Sequence, residues 1–219
     1  MERAKAMRVA RDRGIAGQLL DSPPCDSEEC AVMIVFVYGY DGSGEGHWQR
    51  WAAAVLADRG VATAFPELSD PSAPQKDVWV AELQTLVDAA ARRGDPVTFL
   101  CHSLGCWAVD HLLSEHGSDG VHAALLVAPP SPFLVFEPVD SFVPPPRRAE
   151  VWAPLASRTL LIGSDNDDYA SAEELEDVGR QLGVPCRILP GAGHINIAAG
   201  YGPWPFVLEW LTEVRAVQS

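Results

Sequence analysis

The chain has 219 residues, 47% of them apolar, and a formal net charge of −14. That length suits one domain and that composition can fill a core. The acidity excludes nucleic acid and anionic membrane surfaces as partners, since both require a basic face. It favours neutral or cationic small molecules over polyanions. No apolar run reaches the ~18 residues of a spanning helix. Met1–Ile15 carries five Lys/Arg and two acids and lacks the apolar stretch of a signal peptide. A cytoplasmic protein without a membrane partner is therefore expected, with its oligomeric state open. The five cysteines (Cys25, Cys30, Cys101, Cys106, Cys186) form neither a disulfide ladder nor a CxxC pair. Reduced thiols are expected, with no metal and no cofactor.

Residues 1–30, basic and then polar with Pro23-Pro24, read as a loosely held extension. Residues 31–219 read as the folded domain. Strand-like runs occur at 31–37, 61–65, 97–101, 121–128, 159–163 and 186–189. Helical patterns occur at 47–59, 77–92, 104–116, 171–182 and 203–217. Gly60, Gly117 and Gly183 each close a helical run. The strands are continuous apolar runs, the mark of strands covered on both faces. Strand and helix alternate, which implies an α/β three-layer sandwich around a mostly parallel six-stranded sheet. Residues 129–154 break this rhythm with eight prolines and the large apolar side chains Phe133, Leu134, Val135, Phe136, Phe142 and Trp152. A segment this long and apolar, placed after the fourth strand, reads as a small lid or pocket wall.

The run Val97-Thr98-Phe99-Leu100-Cys101-His102-Ser103-Leu104-Gly105-Cys106-Trp107 passes from a buried strand through His-Ser-Leu-Gly into a helix. This is the form of a nucleophile elbow, a sharp turn that exposes a serine Oγ above a helix N-terminus. Such a serine needs a base and the base an orienting acid, in the chain order Ser, Asp/Glu, His. His111 and His116 lie on the helix behind the elbow, and His122 opens the next strand at the wrong end of the sheet. His194, in the glycine-rich loop Gly191–Asn196 after the last strand, is at the carboxyl edge where the site belongs. The acid should follow the fifth strand, where Asp165, Asp167 and Asp168 compete; spacing alone does not choose among them. Ser171 is the N-cap candidate of the next helix. The backbone N–H groups of Leu104 and of Tyr40, in the loop Tyr38–Trp48, are the candidate oxyanion hole. That loop's glycines match neither GxGxxG nor Gly-Lys-Ser/Thr, which excludes a nucleotide cradle. His47, Trp48, Phe133 and Phe136 are the substrate-pocket candidates. Trp48, Trp51, Phe142 and Trp152 serve equally well as core.

Four pieces in order, Gly42-Ser43…His47-Trp48-Gln49-x-Trp51, His102-Ser103-Leu104-Gly105-Cys106, Ser164-x-Asn166-Asp167-x-Tyr169-x-Ser171 and Gly193-His194-Ile195-Asn196…Trp204-Pro205, resemble the small serine hydrolases of the retinoblastoma-binding-protein-9 type. The resemblance spans residues 33–211. It implies a compact α/β-hydrolase fold, a triad of Ser103, Asp167 and His194, and hydrolysis of small carboxylic esters or related acyl groups. The sequence departs from the family pattern at Cys101, where Gly is usual, and at Asp168, where Pro is usual. It has no Leu-x-Cys-x-Glu segment, so a pocket-protein partner is not implied. The same triad also suits an acyltransferase or cyclase in which the lid-like segment excludes water, and an idle triad would leave a binding protein.

Overall fold

The computed structural model describes residues 32–216; the extension 1–30 and the end of the last predicted helix, Val217, lie outside them. Six strands form one sheet: β1 (Met33–Val37), β2 (Thr63–Ala64), β3 (Val97–His102), β4 (Val121–Val127), β5 (Thr159–Ser164) and β6 (Cys186–Leu189). Their spatial order is β2-β1-β3-β4-β5-β6 and every neighbouring pair is parallel. The helices are α1 (Trp48–Asp58), α2 (Lys76–Ala91), α3 (Leu104–His116), the single turn α4 (Ala149–Trp152), α5 (Ala172–Leu182) and α6 (Phe206–Ala216).

The continuous apolar strands are explained by two cores. Met33, Val35 and Val37 of β1 face one core with α2, α3 and α5. Val32, Ile34 and Phe36 face the other, with α1 and α6. Side chains alternate across a strand, so a strand covered on both faces must be apolar at every position. In β4 the parity changes at a bulge: Val97 pairs with Val121 but Thr98 with Ala123. His122 is left out of the register, and its Nε2 lies 3.3 Å from the Val214 carbonyl oxygen of α6.

Two elements are shorter than the pattern predicts. The second strand keeps two residues of the expected 61–65. It is an edge strand pairing only with β1, and Pro66 cannot donate to extend the ladder. The last helix begins at Phe206 and not at residue 203. Pro203 and Pro205 have no N–H, and the first helical bonds run from Leu208 and Glu209 back to the Pro205 carbonyl. At α5 the expected N-cap is present as a reciprocal capping box. Ser171 Oγ accepts from Glu174 N–H (3.2 Å), and a Glu174 carboxylate oxygen accepts from Ser171 N–H (2.9 Å).

The strand order places the site. The connection from β1 to β2 runs through α1 on one face, and that from β2 to β3 through α2 on the other. The chain therefore diverges between β1 and β3, and open parallel sheets bind ligands at the carboxyl ends of the strands at such a point. Fully buried Gln49 ties this edge together. Its Nε2 donates to the carbonyls of Val37 (3.1 Å) and Leu100 (2.9 Å), and its Oε1 accepts from Ser43 Oγ (2.6 Å).

Much of the proline-rich segment is built into the first core. A 3₁₀ turn spans Glu137–Phe142, and Val139, Phe142, Trp152 and Leu155 are buried with α2 and α3. Asp110 of α3, fully buried, anchors it: one carboxylate oxygen accepts from Trp152 Nε1 (2.7 Å), the other from Arg147 N–H (2.8 Å). Burial raises the Asp110 pKa despite those two hydrogen bonds. Replacing Asp110 with Ala leaves two donors unpaired and is expected to cost about 2–6 kcal/mol, at roughly 1–3 for each donor. A raised folded-state carboxyl pKa contributes stability below the unfolded value near ~4, and that contribution is lost as pH rises through the folded value. The wild-type margin over Asp110→Ala should therefore be widest near pH ~4 and narrow toward neutrality, as read by urea unfolding at several pH values.

Candidate active site

Ser103 joins β3 to α3 with φ 52° and ψ −127°. This is the first central position of a type II′ turn, where glycine is usual. Serine at the N-cap of a helix ordinarily spends its oxygen on the first-turn amides. Here the side chain makes no capping bond, so Oγ stays available to a ligand. The turn is held by Ser103 N–H donating to the Val127 carbonyl and Cys106 N–H to the Ser103 carbonyl, both 2.9 Å. It also depends on two glycines. A Cβ on Gly105 would run into the Val37 carbonyl and lie 2.7 Å from that of Tyr38; one on Gly39 would lie 2.7 Å from Ser103 Cβ. The strand ends of β1 and β3 are thus packed backbone to backbone beneath the serine. Cys101, where the resemblance expects glycine, fits here as a fully buried core residue. Burial pushes its thiol well up, so it offers no thiolate.

Leu104 is the first residue of α3, and its N–H has no partner within the helix. Tyr40 follows Gly39 at the end of β1, while the neighbouring amides are committed: Asp41 N–H to Pro71 O and Gly42 N–H to Gly39 O. Tyr40, Ser103, Leu104 and His194 all line one cavity of about 600 Å³.

His194 Nδ1 lies 2.8 Å and 3.1 Å from the two carboxylate oxygens of Asp167, whose side chain is 0% exposed. Asp167 Oδ1 also accepts from Tyr169 N–H (2.9 Å). Of the three competing carboxylates, Asp168 is exposed and Asp165 accepts from Gly191 N–H (2.7 Å). The histidine loop is gripped along its backbone. Asp165 holds Gly191, Ser164 Oγ holds Ala192 (2.9 Å) and Asn166 Oδ1 holds Gly193 (2.7 Å), each through its N–H. His102 takes the other side: its Nε2 lies 2.9 Å from the His194 carbonyl oxygen, an acceptor only, so the proton is on Nε2.

Three imidazoles meet edge to face here. The His102 ring centroid is 4.7 Å from that of His47 and 4.9 Å from that of His194, and the Tyr169 ring covers His194 at 4.5 Å. Burial holds His102 well below the usual histidine range and brings His47 down to about 4. Both are therefore neutral at physiological pH. His47 caps α1 through Nδ1, which accepts from Gln49 N–H (3.2 Å).

Of the pocket candidates, His47 and Phe136 line the cavity. Trp48 does not: it is wholly buried in the second core, edge-on to Trp204. Its place in the first turn of α1 turns it to the sheet. Phe133 does not line it either; it is 69% exposed beside Arg147. Phe142 and Trp152 are core. The residues not foreseen are Val139, Tyr169 and Ile197 in the wall, and Ser164, Asn166 and His102 around the loop. Leu134, from the segment expected to form a lid or pocket wall, lines the cavity too, and Asp165, a candidate acid, instead holds a backbone amide. The signal for Ser164 and Asn166 is the spacing Ser-x-Asn-Asp-x-Tyr, which the backbone clamp and the Asp167–His194 hydrogen bond together account for. His111 Nε2 lies 3.0 Å from the Phe142 carbonyl, away from the cavity lining. Among the described residues no group of three or more His, Cys, Asp or Glu could hold a metal ion, and no helix is long and apolar enough to cross a membrane.

A six-stranded parallel sheet flanked by helices, with a strained serine on the turn after β3, defines the α/β-hydrolase fold. Solved structures agree. The chain is similar to a protein described as a YdeN-like hydrolase from Pectobacterium atrosepticum (23% identity, TM-score 0.68, covering 93% of this chain and 98% of that one). It is also similar to the YdeN gene product of Bacillus subtilis (21%, TM-score 0.72, 84% and 99%) and to Est1E from Butyrivibrio proteoclasticus (15%, TM-score 0.60, 89% and 90%). None of the curated proteins matches it. The serine hydrolase family model matches residues 34–213, and the chain belongs to that family.

Proposed function

We propose that the protein hydrolyses small carboxylic esters or related acyl groups through an acyl-enzyme, with Ser103 as nucleophile, His194 as base and Asp167 as orienting acid. The observation that carries this reading is the buried Asp167 carboxylate on His194 Nδ1, beside a strained serine lining the same cavity. The carboxylate keeps the proton on Nδ1, leaving Nε2 free to take one from Ser103 Oγ. The alkoxide attacks the acyl carbonyl. The N–H groups of Leu104 and Tyr40 receive the oxyanion, each such donor worth roughly 3 kcal/mol of barrier. The N-terminus of α3 adds favourable potential. The imidazolium then returns its proton to the leaving alkoxide, and water, activated by the same base, releases the acid. Within the family, the four motifs support a place beside the retinoblastoma-binding-protein-9 type, and the acidic chain supports a small-molecule acyl partner.

Labelling with a fluorophosphonate, wild type beside Ser103→Ala, tests this. A single adduct mapped by mass spectrometry to Ser103, and absent in the variant, is expected. A folded protein that takes no adduct would point to an idle triad and sink the proposal.

A further inference from the structure

Four consecutive residues of the base loop are each held by a side chain from a strand end. Asp165, Ser164 and Asn166 accept in turn from the N–H groups of Gly191 (2.7 Å), Ala192 (2.9 Å) and Gly193 (2.7 Å). His194 is held by its own carbonyl oxygen, 2.9 Å from His102 Nε2. The first three holders stand at or just past the end of β5, and His102 is the last residue of β3. β4 lies between those strands in the sheet, so the loop is tied down on both sides of it.

The loop needs such ties. Gly191 and Gly193 turn at positive φ (64° and 54°), and a glycine gives up more conformational freedom than any other residue when it is fixed. Asp167 grips the His194 ring at Nδ1, which sets the tautomer and the ring's rotation. The position of the His194 backbone has to be set by other contacts.

His102 supplies one of them from the nucleophile's side. It immediately precedes Ser103 and is 6% exposed. A carbonyl only accepts, so the bond fixes the proton on His102 Nε2. Between Ser103 and the backbone of the base there is one peptide link, one imidazole and one hydrogen bond. Burial keeps that imidazole neutral. His47, on its other side at 4.7 Å between centroids, is neutral too, brought down to about 4 by burial. A charged ring at His102 would stand 4.9 Å from His194, centroid to centroid, and oppose the positive charge that the base takes on. The neutral ring holds the loop without that penalty.

We propose that His102 is a positioning residue of the reaction: by donating Nε2–H to the His194 carbonyl it ties the base to the residue beside the nucleophile, and so sets the reach of His194 Nε2 toward Ser103 Oγ. This rests on the hydrolase reading above and goes beyond its triad. A base displaced by about 1 Å costs on the order of 10²-fold in rate. Because the same base serves formation and breakdown of the acyl-enzyme, both steps slow together and the loss falls on kcat.

The test compares His102→Gln, His102→Asn and His102→Leu on p-nitrophenyl butyrate, with urea unfolding of each. Gln carries an amide N–H about as far from Cα as the imidazole Nε2 and reaches the carbonyl; Asn carries one only to the Nδ1 position, and Leu carries none. In the Asn and Leu variants kcat is expected to fall about 10²-fold, with KM within about threefold of wild type, and in the Gln variant to recover to within about fivefold. His111→Leu removes a bond of the same kind, from Nε2 to the Phe142 carbonyl (3.0 Å), away from the cavity lining. Its kcat should stay within about twofold of wild type, as for a distant, independent site. Fluorophosphonate should still modify Ser103 of His102→Asn to completion, at a rate lowered in step with kcat. Equal kcat in the Gln and Asn variants, or a loss in His111→Leu that matches His102→Leu, would overturn the role. So would labelling that stops at a fraction of the protein, or failure of both the Asn and the Leu variants to fold, since either makes His102 a structural residue only. A wild type that turns over no ester and takes no adduct would sink the hydrolase reading itself; full activity in His102→Leu would sink only the positioning role.

Discussion

Asp167→Asn is expected to lower kcat on a p-nitrophenyl ester by about 10⁴-fold, with little change in KM. The geometry leaves an amide no good orientation. The carboxylate accepts from both His194 Nδ1 and Tyr169 N–H. If the Asn oxygen faces one donor, its NH₂ is pressed toward the other. Where the NH₂ faces the imidazole, Nδ1 must accept and the proton moves to Nε2, which then cannot take the serine proton. Asp168→Asn, at an exposed position, should stay within about twofold of wild type, the range expected of a screened surface charge. Asp165→Asn retains an acceptor for Gly191 N–H and should fall between the two. Steady-state kinetics on the three variants decides the assignment. A larger loss in Asp168→Asn than in Asp167→Asn would transfer the acid role and break the proposed triad.

Ser103→Gly is expected to abolish turnover and yet make the protein more stable. Replacement by glycine normally costs roughly 0.5–1 kcal/mol in backbone entropy. At Ser103 the residue being replaced holds φ 52° and ψ −127°, a conformation costing a side chain on the order of 1–3 kcal/mol. The Oγ makes no capping bond that would be lost. The strain outweighs the entropy, and a net gain of about 1 kcal/mol follows. Ser103→Ala keeps the Cβ and therefore the strain, so it should be equally inactive without the gain. Urea unfolding of the three proteins reads the difference directly. A Ser103→Gly protein less stable than Ser103→Ala would show that the turn carries no strain worth relieving.

The parts legible from sequence were those in which neighbours along the chain carry the physics. β3, the elbow and α3 are contiguous, and β-branched propensity followed by a helical pattern revealed all three. Ser171 and Glu174 cap α5 from three residues apart. His194 was reachable by position, since a loop after the last parallel strand must reach the carboxyl edge. Trp48 and Phe133 were harder to place because an aromatic side chain serves core and pocket equally well. The facing of a single turn decides which, and α1 turns Trp48 into the second core. The edge strand β2 was overextended because apolar content does not report the absence of a second pairing partner.

By itself, the amino-acid pattern determined the layer architecture, the strained serine turn and the chain order of the three candidate catalytic residues, because local propensity, burial periodicity and turn chemistry act within a few residues. Spacing left three carboxylates within four residues open and only the family resemblance favoured Asp167; the tertiary structure is what places Asp167 against the His194 imidazole. That placement depends on which side chain faces an imidazole 27 residues away while a neighbour is spent holding a backbone amide. The same holds for Gln49 bridging β1 and β3 and for His102 reaching the His194 carbonyl. These contacts join segments brought together by the sheet, and their energies depend on distances that the order of residues does not contain.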